Sequence, residues 1–323
     1  MALAPKGGGY KIKPKLESLP CDWLLFDISN ILHRSFFVAR AGEDDETIAG
    51  MAVHSALMSL NKYYKQFKPK MGVVMTFDRS SWRKEYTASD KCISGKPYKG
   101  NRRKDMSPAQ QVKYAKFIDH LKEFETLIME HTTVITLARD RLEADDLMGG
   151  FCQIYEGDDI IIITADSDIL QLVKHKGVKV ISPATDKEQS LADYNNDAEY
   201  YLFQKCMRGD PTDNVQSAYP RLRTARIEKA YTDSFERTTL MKETWTDDKK
   251  NVIIVEEIFK ENQLLIDLGK QPADIRVAML TTIDEAMEVK RKFSMFHILK
   301  FCGKYELKKI MESIDQFVPM LSK

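Results

Sequence analysis

The chain has 323 residues, 43% hydrophobic and 30% charged, with a formal net charge of +1, which suits one large α/β domain or two smaller ones around a substantial core. Its cysteines, Cys21, Cys92, Cys152, Cys206 and Cys302, lie far apart with no C-x-x-C pair, which argues against a disulfide framework or a structural zinc site. No apolar run reaches the length of a membrane span and the opening MALAPKGGGYKIKPK lacks a signal-peptide core, so a cytoplasmic protein with no membrane association is expected.

Residues 1–20 are rich in Gly, Lys and Pro and are expected to form a mobile tail. Short apolar runs of strand type follow: DWLLFDI (22–28), GVVMTF (72–77), TTVITL (132–137), DIIIIT (159–164) and VKVI (178–181). Their near-continuous apolar character predicts parallel strands covered on both faces. Between them, Ile48, Ala52, Val53, Ala56, Leu57, Leu60, Tyr64 and Phe67 fall on one stripe of a helix over 47–67. Val112, Ala115, Ile118, Leu121, Leu127 and Ile128 do the same over 108–130, with Ser107 as N-cap and Pro108 at the first helical position. Strands alternating with helices predict an α/β fold with a mostly parallel central sheet over 21–200. The pattern from 201 to 323 is mainly helical, which predicts an α-rich region completing the site.

Charge is distributed unevenly. Between Arg79 and Asp105 the bases Arg79, Arg83, Lys84, Lys91, Lys96, Lys99, Arg102, Arg103 and Lys104 face only Glu85, Asp90 and Asp105, with Trp82, Tyr86 and Tyr98 interleaved. Arg221, Arg223, Arg226 and Lys229 form a second basic run, and Lys290, Arg291 and Lys292 a third. A solvated surface explains the third run equally well, but the first points to a polyanion partner.

The acids fall where a site belongs. The first strand closes on Asp27, the second is followed at once by Asp78, and the third leads through a loop into Glu143, Asp145 and Asp146. The fourth runs into Asp166 and Asp168, and the turn MRGDPTDN adds Asp210 and Asp213. In open parallel sheets the ligand crevice lies outside the carboxyl ends of the strands. Helix-dipole pairing or turn chemistry explains each acid singly. Together, so many carboxylates in one crevice repel one another unless cations neutralise them. An oxygen-only donor set selects hard cations, Mg²⁺ or Mn²⁺, and carboxylate clusters holding two such ions activate water against phosphodiesters.

The order D…D…EADD…TADSD…GDPTDN, with YKGNR between its second and third groups, resembles the 5′ nuclease superfamily of flap endonucleases, polymerase 5′-nuclease domains and phage 5′→3′ exonucleases. SSWRKEY (80–86) and KENQLLIDL (260–268) are similar to the phage replication RNase H branch. The resemblance spans about residues 21–320. It implies a Mg²⁺-dependent 5′ nuclease acting on DNA and RNA–DNA with 5′ ends or flaps, removing primers and flaps during lagging-strand replication. It places Asp27, Asp78, Glu143, Asp145 and Asp166 on a first metal and Asp168, Asp210 and Asp213 on a second, with Asp146 in support. It further implies that Lys99 and Arg102 act at the base of a helical arch (79–106) and that Tyr98 stacks on the scissile nucleotide. Arg83, Lys84, Arg103 and Lys104 are expected on the nucleic acid. A monomer assisted by a sliding clamp or a single-strand binding protein is expected.

The chain departs from the family pattern twice. The stretch TASDKCISGKP between WRKEY and YKGNR is long, and VQSAYPRLRTARIEKA stands where many relatives carry a G-x-G-x-G hairpin that grips duplex phosphates and K⁺. Arg221, Arg223 and Arg226 would then meet the phosphates instead. An aspartyl phosphatase needs a D-x-D that DISN does not supply. A PIN-type ribonuclease and a non-catalytic branched-DNA-binding relative are the alternatives, the latter disfavoured because no acid of the pattern is missing.

Overall fold

The apolar runs become five parallel strands: β1 (Trp23–Asp27), β2 (Gly72–Thr76), β3 (Ile135–Leu137), β4 (Ile160–Ile163) and β5 (Val178–Ser182). A short β6 (Lys187–Glu188) pairs antiparallel with β5 at one edge. The computed structural model describes residues 20–38, 45–101, 107–247 and 249–323. The expected N-terminal tail up to residue 19, and Arg102, Arg103 and Lys104, lie outside these.

Strand order is β3-β2-β1-β4-β5-β6. Every residue of β1, β2 and β4 is buried, because successive side chains point to opposite faces and helices cover both. On one face Leu24, Phe26, Val73, Met75, Ile161 and Ile163 meet α1 (Ile28–Val38), α2 (Asp45–Phe67) and α4 (Pro108–His131). On the other, Trp23, Leu25, Val74, Ile160 and Ile162 meet α5 (Ala144–Ile154) and a 3₁₀ helix, Ser167–Lys174. Between β2 and α4 lies the short α3 (Trp82–Thr87).

A third core is helical. It joins α6 (Ala198–Arg208), α7 (Thr224–Thr232), α8 (Ser234–Met241) and α9 (Val255–Ile266), and it takes in Tyr98. The hairpin β7 (Thr244–Thr246) and β8 (Val252–Ile254) lies between α8 and α9; it was not foreseen, since three-residue strands leave little alternation to detect. The chain ends with α10 (Ala273–Glu288), α11 (Met295–Lys304), α12 (Lys308–Glu312) and α13 (Val318–Leu321).

Two expectations are corrected here. A boundary at residue 200 cuts through α6, and the C-terminal helices return to the sheet: α10 packs on α5, while Ile298, Phe301, Phe317 and Met320 share the core of β1 and β2. The α-rich region beyond 200 thus shares its core with the sheet. Helix α4 has the expected Ser107 cap, in a reciprocal capping box with Gln110, and Pro108 in its first turn. Its inward stripe starts later than expected, however. Val112 is 58% exposed and Ala115 is also exposed, and Phe117 and Phe124 complete the buried face instead.

Candidate active site

Because β3, β2, β1 and β4 are consecutive neighbours, the four acid-bearing strand ends open side by side. Asp27 closes β1 and is buried; its Oδ1 accepts the Asn30 backbone N–H at 3.0 Å and its Oδ2 accepts the Thr164 hydroxyl at 2.8 Å. Asp78 follows β2 and accepts the Ala144 N–H at 2.8 Å, in the first turn of α5 where the helix dipole favours an anion. Glu143 stands at the N-cap of α5. Its carboxylate accepts from Ser81 Oγ at 2.7 Å, Arg83 Nη1 at 3.1 Å and Lys99 Nζ at 2.5 Å.

Beyond β4, Asp166 caps the 3₁₀ helix by accepting the Asp168 N–H at 2.9 Å. The turn after α6 brings in Asp210 and Asp213 opposite. Asp210 accepts from the Thr212 N–H at 2.8 Å and from Lys205 Nζ at 3.2 Å, and Lys205 also contacts Asp168. Asp213 accepts the Tyr98 hydroxyl at 2.7 Å and has Lys99 Nζ at 3.7 Å. Lys99 itself is held with φ +55, a left-handed conformation uncommon outside glycine. Its N–H donates to the Asp213 carbonyl at 2.8 Å, which fixes YKGNR to the GDPTDN turn.

The electrostatics follow from crowding. Burial, then the charge of Asp78, pushes the Asp27 carboxyl up to about 7. Burial and Asp166 raise Asp145 well above the carboxylate range, and enclosure together with Glu143 raises Asp78, although Asp78 faces the water of the crevice. Burial also raises Asp168, to about 6, with Lys205 opposing it. Glu143 is the exception. Burial acts upward on it, but the Lys99 and Arg83 cations override this and hold it at about 2.

Such a set is what cations relieve. Asp27, Asp78, Asp145 and Asp166 offer oxygen alone, and their mutual repulsion is the strain that a hard divalent ion would remove. Among the described residues no three of them close into ligating geometry, and the ammoniums of Lys99 and Lys205 and the Arg83 guanidinium lie between carboxylates of the site. The donor chemistry fits Mg²⁺ or Mn²⁺.

The family model described as the 5′-3′ exonuclease, N-terminal resolvase-like domain matches residues 22–201. The chain belongs to this 5′-3′ exonuclease family. It is 31% identical to DNA polymerase I of Caldicellulosiruptor bescii over 206 residues, 59% of this chain and 22% of that protein. It is 30% identical to Ribonuclease H of Enterobacteria phage T4 over 168 residues, 50% of this chain and 52% of that one. The matched part thus spans about a fifth and about half of these relatives. Bacteriophage T5 flap endonuclease, solved with DNA and metal ions, superposes with a TM-score of 0.59 at 18% identity, covering 83% of this chain and 99% of that one. T5 5′-exonuclease with bound zinc gives 0.59 at 20% identity, covering 82% and 99%. These likenesses establish the fold.

Within this 5′-3′ exonuclease framework two expected roles, those of Arg83 and Tyr98, are corrected. Arg83, expected on nucleic acid, is 2% exposed. It binds both oxygens of Asp146 at 2.9 Å and the Leu265 carbonyl at 2.7 Å, and stacks on Trp82. Asp146, expected in support of the metal ligands, is fully buried, turned toward Arg83 and Gln271, and accepts the Glu143 backbone N–H. Tyr98, expected to stack on a nucleotide, is 7% exposed with its ring in the helical core. These side chains brace Glu143 and Asp213 from behind. Lys84, Arg221 and Arg223 are exposed, whereas Arg226 is tied to Glu243. Arg102, Arg103 and Lys104 lie outside the described residues.

Sequence reasoning missed Lys205, Thr164 and Ser81. Lys205 carried a signal, lying on α6 one turn before Gly209 of the acidic turn. Thr164 ends the DIIIIT run, where a hydroxyl beside Asp27 could have been noted.

Proposed function

We propose that this chain is a Mg²⁺-dependent, structure-specific 5′ nuclease that hydrolyses phosphodiesters of DNA and RNA–DNA and removes primers and flaps during lagging-strand replication. The observation that carries this reading is the convergence of Asp27, Asp78, Asp145 and Asp166, all oxygen donors, from neighbouring strand ends, with Lys99 reaching among them. Asp27, Asp78, Glu143, Asp145 and Asp166 would hold one ion, and Asp168, Asp210 and Asp213 a second. When bound, such ions supply an activated water and neutralise charge on the phosphate.

The chain's own groups do the rest. Lys99, fixed by the Asp213 carbonyl, sets a cation beside the reacting phosphate, where a preorganised charge acts most strongly on the transition state. Arg83 and Ser81 hold Glu143 ionised and in place. The primer-removal assignment is supported by the likeness to phage T4 Ribonuclease H.

Cleavage of a labelled 5′-flap duplex, with Mg²⁺ titrated against a chelator, tests this reading. Asp166→Asn should lower the rate by orders of magnitude, because one ligand charge is lost while the basic segments are untouched. Flap binding measured in Ca²⁺ should change little. Wild-type-like cleavage by this variant would sink the assignment.

A further inference from the structure

Helix α9, which opens the KENQLLIDL motif, supplies none of the acids of the site, yet three segments that do supply them are tied to it. At its C-terminal end the carbonyls of Leu265 and Ile266 have no partner within the helix. Arg83, the brace of Glu143 and Asp146, donates its Nε–H to the Leu265 carbonyl at 2.7 Å. Gln171, on the 3₁₀ helix that carries Asp168, donates from Nε2 to the Ile266 carbonyl at 3.0 Å and accepts the Leu268 N–H at 2.8 Å. The end of α9 therefore has a fixed place relative to α5 and to the 3₁₀ helix.

About one turn earlier on α9 stands Asn262, 1% exposed. Its Nδ2 donates to the Cys206 carbonyl in the last turn of α6 at 2.8 Å and to the Gln216 carbonyl at 2.7 Å. These two carbonyls bracket the turn that carries Asp210 and Asp213. Within the turn, Asp210 and Val215 exchange backbone bonds at 3.1 and 2.8 Å, so the loop is closed on itself and held at both ends by one amide. The Oδ1 of Asn262 meets no donor among the described residues. An apolar side chain of similar size would avoid that unpaired acceptor, so the two N–H groups are what this position requires. Gly209 meets the same carbonyl. It has φ +69 and ψ −170, a region open almost only to glycine, and a Cβ there would stand 2.5 Å from the carbonyl oxygens of Gln216 and Val215.

Resting on the proposed two-ion function, we propose that Asn262 is a positioning residue for the second ion: its amide clamps the acidic turn to α9 and so sets where Asp210 and Asp213 stand relative to Asp168. The two halves of that ligand set come from elements far apart in sequence, and α9 is their common reference, through Gln171 for one half and Asn262 for the other. Carboxylates meet an ion in the right geometry only when groups behind them fix their direction. Asp27 and Asp78, at strand ends, do not depend on this clamp.

Two variants disturb the clamp independently. Asn262→Asp sets an oxygen against two carbonyls in place of the donor, and Gly209→Ala drives a methyl group into the Gln216 carbonyl. Titration of the intact, DNA-free chain with Mn²⁺, followed by loss of the free-ion EPR signal, reads ion binding without relying on cleavage. Wild type should bind two ions. Each variant should keep the first at wild-type affinity and bind the second about tenfold more weakly or worse, the scale of losing a group that orients a metal ligand. In flap cleavage the half-saturating Mg²⁺ concentration should rise by a similar factor, while the rate at saturating Mg²⁺ returns close to that of wild type. A general loss of structure would not be repaired by the ion in this way. Variants that bind both ions as wild type does, or that weaken both ions alike, would overturn the clamp. A wild type that binds fewer than two ions would instead overturn the two-ion reading, and the clamp with it.

Discussion

Arg83 shows how a residue type can be read correctly and its job misread. A base in a basic stretch is expected on a polyanion, but this one is 2% exposed between Asp146 and Glu143. Replacing it with Met should cost roughly 3–5 kcal/mol, because two buried carboxylates lose their partner. A denaturant midpoint close to wild type would contradict this role. The acids were legible because a strand end followed by Asp is a local pattern. Which side of an acid faces the crevice was not, since Asp145 and Asp146 are neighbours in the chain and part only once α5 has a direction. The same crowding predicts an inverted pH response. Asp27, raised to about 7, and Asp168, raised to about 6, bind protons in the folded chain that the unfolded chain releases above its ordinary carboxylate range near 4. Stability of the metal-free protein must then fall as pH rises through 4 to 7. Its Tm should be higher at pH 5 than at pH 8, by about 5 °C or more, and Mg²⁺ should remove most of that difference. A Tm that rises with pH over this range without metal would refute it.

At the scale of elements, periodicity located all five parallel strands and the two long helices, because both depend on local sequence pattern. The start of α4 departs from its stripe because Val112 and Ala115 repeat at helical spacing with no partner surface among the described residues to cover them. The segment after GDPTDN, VQSAYPRLRTARIEKA, carries bulky and basic side chains and no glycine. Arg221 adopts φ +62 and both Arg221 and Arg223 are exposed, so phosphates would be met by guanidinium forks rather than by close backbone. Flap cleavage should therefore respond equally to KCl and NaCl at equal ionic strength. Clear stimulation by K⁺ would show a backbone cage in this turn.

For the molecule as a whole, the C-terminal helices are structural parts of the sheet. Ile298, Phe301, Ile310, Phe317, Met320 and Leu321 are all buried against α2, α4 and the strands they cover. Each contributes about 1.5–3 kcal/mol, and six together approach or exceed the whole stability of an ordinary domain, roughly 5–15 kcal/mol. Removing 290–323 should abolish cooperative unfolding of the remainder. A truncated chain with a sharp thermal transition would show the sheet to be self-sufficient. This return of the chain was the part least visible in sequence: helical pattern says that α11 has an apolar face, not which surface receives it.

That return has a consequence for the cell that makes the protein. The carboxylates are delivered piecemeal, from residue 27 to residue 213, and the core that holds the first two strands lacks one wall until the helices after residue 295 have been made. A ribosome-bound chain carries most of its acids early but has no finished scaffold on which to align them. Alignment of the acids is thus delayed, by topology alone, until those helices have been made.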